Sequence, residues 1–320
     1  MLRYVLKRLL SMIPSLFIVS IIVFLFIHFI PGDPAEILLG DMATPDQVQQ
    51  LRQEMGLDKP LYIQYWLWLR NAFRGNLGNS IFFHQPVLSV IFSRAETSIL
   101  LASMTFILIL AIGIPVGYIS ATRYGSKLDQ FISSASMAFA SIPTFWLGLN
   151  LMIFFAVYLK LFPSSGFPSI LKEGKLSNLI YLVLPSITLS APNSALVIRI
   201  TRASMLDVMK EDYVRTARAK GLPELWVNVK HVFRNSLNAV ISTLGFTFAT
   251  LISGTVVTET VFSLPGIGRL VVDSILRRDY PVIQGIILTI AVVYMIINLF
   301  VDILNAWLDP RIRTGAGGSV

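Results

Sequence analysis

Glu211–Asn235, EDYVRTARAKGLPELWVNVKHVFRN, is the longest strongly charged interval between two runs long enough to cross a membrane. Its first half holds helix-favouring residues, with Tyr213, Ala217 and Lys220 spaced to share a side, and it stops at Gly221, a residue type that readily ends a helix in a left-handed turn. Leu222 and Pro223 follow, so a second helix starts almost at once with Pro223 in its first turn. The stretch predicts a helix, a glycine turn and another helix, with Leu222, Leu225, Trp226, Val227, Val229, Val232 and Phe233 placed around the turn. A basic unit carrying that apolar set suits a protein surface better than a lipid surface. An interfacial helix pair between two spans is the plainer alternative.

The chain on either side is mostly apolar. With 54% hydrophobic residues, 14% charged residues and no cysteine, it is no ordinary soluble domain. Charge-free runs occupy residues 9–32, 97–122, 130–159, 176–198, 235–258 and 280–301, and each exceeds the roughly 20 residues needed to cross about 30 Å of hydrocarbon. Gly75–Ser93 is also free of charge, but Asn76, Asn79, His84, Gln85 and Pro86 would lie unpaired at membrane depth. That interval is expected to be an extramembrane loop or a short helix against the bundle. The first run follows Arg3, Lys7 and Arg8 as a signal peptide would, yet it is too long, and Pro31-Gly32-Asp33-Pro34 is no small-residue cleavage pattern, so it reads as an anchor.

The net charge of +8 does not form a nucleic-acid patch. The basic residues follow topology: Arg123, Lys127, Arg199, Arg202, Lys210, Arg215, Arg218, Lys220, Lys230, Arg234, Arg311 and Arg313 join the N-terminal cluster on one side, against Lys160, Lys172, Lys175, Arg269, Arg277 and Arg278 in the short loops of the other. Both termini and the Gly221 segment are therefore expected in the cytoplasm. The fold class is an all-α polytopic membrane protein with six spans. Its parts are an N-terminal span over 1–32, a periplasmic segment over 33–96, a five-helix core over 97–306 and a tail over 307–320. The core spans lie at about 97–120, 132–159, 178–199, 237–257 and 282–304, with a cytoplasmic loop at 206–236 and a periplasmic loop at 258–281.

Within the segment 33–96, Thr44 and Gln47 predict an N-cap and its reciprocal partner for a helix toward Met55. Leu61–Arg74 carries Tyr62, Tyr65, Trp66 and Trp68, side chains that anchor at headgroup depth. Pro143 lies in the third run, and Pro185 and Pro192 in the fourth, which predicts a bundle able to kink. The six runs contain no Asp, Glu, Lys or Arg, so the sequence offers no mid-membrane ion site of the kind gradient-driven carriers use. Neutral polar residues remain as path-lining candidates: Asn150, Thr188, Asn193, Thr247 and Ser253, with Thr144, Ser194, Thr243 and Thr255 beside them. Hydrogen bonding within or between helices is the plainer role for each. The charges of Arg277-Arg278-Asp279 read by default as solvated loop charge.

Several motifs resemble one family. EDYVRTARAKG at Glu211–Gly221 and KHVFRNSL at Lys230–Leu237 are similar to the docking loop of dipeptide, oligopeptide, glutathione and nickel permease subunits, a branch of the bacterial ATP-binding cassette importers. PGDP at Pro31–Pro34, GLDKPLYIQYW from Gly56, GNLGNS from Gly75, ETVFSLPGIGRL from Glu259, RRDYPVIQG from Arg277 and DPRIR from Asp309 resemble the same branch. The resemblance covers nearly all of residues 1–313. Against the general importer pattern of Glu-Ala-Ala, three residues and Gly, only Ala217 and Gly221 match, and Arg215 stands at the leading glutamate, whose role is not carried to it.

The resemblance implies that Glu211, Asp212, Arg215, Ala217, Arg218, Ala219 and Gly221 belong to an ATPase-docking motif. It makes Glu259, Pro265, Gly266, Gly268, Arg278 and Asp279 the motif of a partly buried re-entrant loop on the outer side. It further implies a homologous second permease subunit, two ATPase subunits that bind ATP and magnesium, and a periplasmic or lipoprotein solute receptor. Peptide would move across the inner membrane by alternating access. Nickel or another small solute of the same branch is an alternative, and a stand-alone carrier or channel is one from a different class. There is no GxxxxGK[ST] phosphate loop, no HExxH and no cysteine–histidine metal cluster, so the chain is expected to be neither an ATPase nor a metalloenzyme, and no cofactor is expected in it.

Overall fold

Length alone qualifies the first helix to span a membrane. α1, Leu2–Phe29, holds 28 residues, about 42 Å at 1.5 Å per residue. In the computed structural model the described residues are 2–29, 39, 44–54 and 56–308. The Pro31–Pro34 stop, Met55 and the Asp309–Arg313 ending with its tail lie outside them. α2, Pro45–Glu54, begins as its sequence predicts: the Thr44 N–H donates to Gln47 Oε1 at 2.9 Å and the Gln47 N–H to Thr44 Oγ1 at 3.4 Å. α3, Leu61–Phe73, rests on α1 through Tyr65, whose ring meets Phe17 and Phe24 and whose hydroxyl lies 2.8 Å from that of Ser20.

α4, Val87–Thr122, is 36 residues long. The expected loop over Gly75–Ser93 therefore ends at Pro86, and the helix that holds the second charge-free run begins ten residues before Thr97. Pro86 leads into VLSVIF, an apolar start; at about 54 Å the helix outruns the hydrocarbon, so it accommodates Arg94 and Glu96 in its first turns. The expected single span at about 132–159 is not straight. α5, Lys127–Ser141, and α6, Thr144–Leu151 with its π-helical continuation Met152–Tyr158, are bent by 98°. Pro143 lacks an N–H to continue the ladder and forces Ile142 into extended backbone with ψ 126°.

After a short helix α7, Ile170–Glu173, comes α8, Ile180–Val208, which keeps Pro185 and Pro192 inside it and runs past the expected end near residue 199. α8 is the central helix: it packs against α4, α5 and α6, and against α11, Arg234–Gly254. Contact with α4 is close because Gly113 and Gly117 offer no side chain there; a Cβ at either would overlap Val197 or Thr201. In lipid, where apolar burial gives little drive between helices, such small-residue contact is what holds them. Leu101 and Ile109 of α4, Leu182, Leu189 and Val197 of α8 and Leu244 and Leu251 of α11 form the core.

Between α8 and α11 lie α9, Asp212–Ala219, and α10, Glu224–Trp226, the latter continuing through π-helical Val227–Phe233 into α11. The chain closes with α12, Val256–Val261, α13, Ile267–Leu276, and α14, Tyr280–Leu308. α14 packs on α11 and on α1, where Arg8 and Asp302 pair at 3.1 Å. Among the described residues, five helices are long and apolar enough to cross a membrane, or six if the bent pair counts as one.

Candidate functional site

The Gly221 segment is fixed by one side and free on the other. Val214 and Ala217 of α9 are buried with Ala121 of α4, Met205 of α8 and Val227 and Val232 of the π-helical turn. Ala217 thus belongs to the inward side; Tyr213 and Lys220, expected to share its side, are exposed. The inward side follows an i, i+3 pair, Val214 and Ala217, which the longer spacing passed over. Val227 and Val232, grouped with the docking residues by sequence, are likewise buried within the chain, and Pro223 precedes the first turn of α10 as its N-cap.

On the free side stand Glu211, Asp212, Arg215, Arg218 and Ala219, all exposed. Arg215 reaches Asp212 at 3.6 Å, and Arg218 reaches Glu224 at 3.0 Å across the turn. Such solvated pairs contribute at most about 1 kcal/mol each. Gly221 itself takes φ +78°, and a Cβ there would meet nothing within 4 Å, so backbone conformation alone demands glycine. Leu222, Leu225, Trp226 and Val229 surround it, exposed, with Lys230 Nζ 4.9 Å above the Trp226 ring.

A charged tie lies next to Ala121 in sequence and one turn from Met205, the two residues of α4 and α8 on which α9 is seated. Asp129, at the start of α5, accepts from Arg202 Nε at 2.7 Å and Nη2 at 2.9 Å, from Ser120 Oγ at 2.5 Å and from the Gly125 N–H at 3.0 Å. Arg202 also lies over the Tyr124 ring at 5.2 Å. One carboxyl therefore ties the turn between α4 and α5 to α8. Its only sequence signal is position, one residue before a long charge-free run.

At the other end of α4, the loop through Pro265 is held by two carboxyls. Glu259 is fully buried; its Oε1 accepts from Ser98 Oγ at 2.7 Å and Thr255 Oγ1 at 2.8 Å, and its Oε2 from the Arg269 N–H at 2.9 Å. Ser98 accepts in turn from the Ile267 N–H at 2.8 Å. Gly266 and Gly268 pack on this carboxyl so closely that a Cβ on either would overlap it, while Pro265 is partly buried. Asp279, expected to be solvated, is fully buried instead. It accepts from Ser80 Oγ at 2.5 Å and from the Ile81 and Phe82 N–H groups at 3.2 Å each. Those three donors need an acceptor, and the positive φ of Arg278, +55°, turns the chain so that Arg278 is exposed while Asp279 points in. Arg277 covers Phe82 at 3.6 Å. GNLGNS and RRDYPVIQG, about 200 residues apart in sequence, thus meet in space.

Three of the path-lining candidates bond to the preceding turn of their own helices. Asn150 is exposed and donates to Trp146 O at 2.7 Å; Thr188 is buried and donates to Leu184 O at 2.8 Å; Asn193 donates to Leu189 O at 2.7 Å. Thr247 is buried with no partner for its hydroxyl among the described residues, which do not include the Ser253 side chain.

Long apolar helices wrapped around a central proline-bearing helix, with a helix–glycine turn–helix unit on one end, define an all-α multi-spanning membrane protein. The chain belongs to the family described as "binding-protein-dependent transport system inner membrane component", whose model matches residues 113–314, with the family's N-terminal companion over residues 1–111. It is therefore a multi-pass inner-membrane protein and a permease subunit of an ABC-type importer, a kind of system in which a paired permease and ATPase subunits take part. It is 42% identical to the "probable peptide ABC transporter permease protein y4tP" of Sinorhizobium fredii (strain NBRC 101917 / NGR234) over 97% of this chain and 99% of that one. It is 42% identical to the "glutathione transport system permease protein GsiC" of Escherichia coli (strain K12) over 98% and 99%. Its fold is similar to that of an inward-facing MetNI methionine ABC transporter chain, with TM-score 0.57 at 15% identity over 69% of this chain and 96% of that one.

Proposed function

We propose that this subunit passes short peptides, glutathione-like tripeptides included, inward across the bacterial inner membrane. It does so beside a homologous but different permease subunit, and two ATPase subunits grip residues 206–236. The observation that carries this reading is the two-sided Gly221 segment. Val214 and Ala217 seat α9 on the ends of α4 and α8, while Glu211, Asp212, Arg215, Arg218 and the Leu225–Trp226 edge stay free to be pushed. The names of the two relatives, one peptide and one glutathione, share amide-linked solutes.

In this reading both termini are cytoplasmic, the bent pair α5–α6 is one of six spans, and the Pro265 loop faces the periplasm to meet a solute receptor. ATP binding draws the two docking segments together and opens the membrane pair outward, and hydrolysis resets it. ATP and magnesium stay with the ATPases.

Gly221→Val tests it. A left-handed backbone costs a β-branched residue about 1–2 kcal/mol or more, while the open space around the position leaves the rest of the fold undisturbed. Co-purified ATPase and ATP-dependent peptide uptake are both expected to fall about tenfold or more, with the subunit still present in the membrane. Normal docking with normal uptake would overturn the assignment.

A further inference from the structure

The break at Pro143 leaves backbone groups that lipid cannot satisfy. The Phe139, Ala140 and Ser141 carbonyls at the end of α5, and the Thr144, Phe145 and Trp146 N–H groups at the start of α6, find no partner among the described residues. Most of the residues that carry them are exposed, 139–141, 145 and 146, and Thr144 is half-buried. Nor are they near a membrane surface. Phe139 borders one groove with Ile187 and Ser190 of α8, and Gly148 of α6 sits against Thr188, so the break lies level with the middle of the charge-free run 176–198.

Non-helical backbone at that depth persists only inside protein or beside water. A neighbouring straight helix has its own backbone already paired and offers only side chains, whereas the break presents acceptors and donors together, with the small Ala138, Ala140 and Ser141 between the exposed rings of Phe139, Phe145 and Trp146. Water, or a solute that itself carries C=O and N–H groups, answers both.

We infer that residues 139–146 line the water-filled passage and offer their main-chain amides to the passing solute, which lets side-chain identity vary. Naming a peptide-like solute rests on the function proposed above; the placement of water does not. Path lining thus falls to backbone, where the sequence offers only side-chain candidates.

The chain has no cysteine, so single cysteines report directly. Ser141→Cys and, as a second variant, Ala140→Cys are compared with Ile18→Cys, whose native side chain is exposed on apolar α1. A charged, water-soluble thiosulfonate is applied to the subunit assembled with its partners in nanodiscs. Only a thiolate reacts, and a thiol in lipid stays protonated. The expected result is labelling at the break at least tenfold faster than at Ile18→Cys, with the rate changing when the ATPases are trapped by ATP and vanadate. Labelling no faster than at Ile18→Cys would overturn the inference, as would cross-linking of the break to the second permease subunit with no labelling. ATP-dependent uptake by the cysteine-free parent is measured separately. Uptake without labelling sinks this inference alone, and labelling without uptake sinks the proposed function alone.

Discussion

Glu259 shows how a single carboxyl shapes the loop around it. It gathers two hydroxyls and one main-chain N–H in a site with no water access, and the glycines at 266 and 268 exist to let the chain pass it. Removing the acceptor strands two buried hydroxyls, each worth about 1–3 kcal/mol when unsatisfied, and one part-buried main-chain N–H. Glu259→Ala is therefore expected to lower the thermal unfolding midpoint of the purified complex by several degrees, while Glu259→Gln, which keeps an acceptor oxygen, recovers part of the loss. Equal midpoints for the alanine variant and the parent would show that the network contributes nothing. The sequence displayed Glu259 as one residue of a motif, without its role. Ser98, the partner that gives it meaning, lies 161 positions away in an otherwise apolar run, and no local pattern links them.

At the scale of elements, local signals read well and tertiary ones did not. The cap at Thr44 and Gln47 and the turn at Gly221 are decided by neighbours in sequence, and both have the geometry their residues predict. The start of α4 and the bend at Pro143 depend on what packs beside them. Prolines 185 and 192 stay within α8 while Pro143 breaks its span, although hydropathy treats all three alike. The Asp129–Arg202 pair is a further tie between elements, joining the α4–α5 turn to α8 just behind the Gly221 segment. Asp129→Ala leaves Arg202 partly buried without its partner, a loss of about 3 kcal/mol at the lower end for such pairs, since Arg202 is 27% exposed. The double change Asp129→Ala with Arg202→Leu is expected to be more stable than the single one in a detergent melt. Additive losses would count against the pair acting as a unit.

For the whole molecule, charge-free runs made the multi-spanning class legible from residue counting, because the bilayer sets the length a helix needs. Which faces meet one another was not legible. The described runs carry no charged residue at mid-membrane, and this polypeptide alone is expected to move no solute. Reconstituted by itself in vesicles under a proton or sodium gradient, it should show peptide uptake at the level of empty vesicles, and uptake should appear only once the second permease subunit, the ATPases and the receptor are added. Gradient-driven accumulation by the lone subunit would instead make it a self-sufficient carrier.

The two clasps at this end of the bundle, Ser80 before α4 with Asp279 and Ser98 within α4 with Glu259, join positions 199 and 161 residues apart. During synthesis the ribosome emits one half of each clasp long before the other. A growing chain thus reaches the bilayer with its early helices inserted and their hydroxyls idle, and the end of the bundle that carries the Pro265 loop closes only when the last fifth of the polypeptide arrives. A product cut short before Glu259 keeps that end unlatched, which marks it out for the cell's membrane proteases.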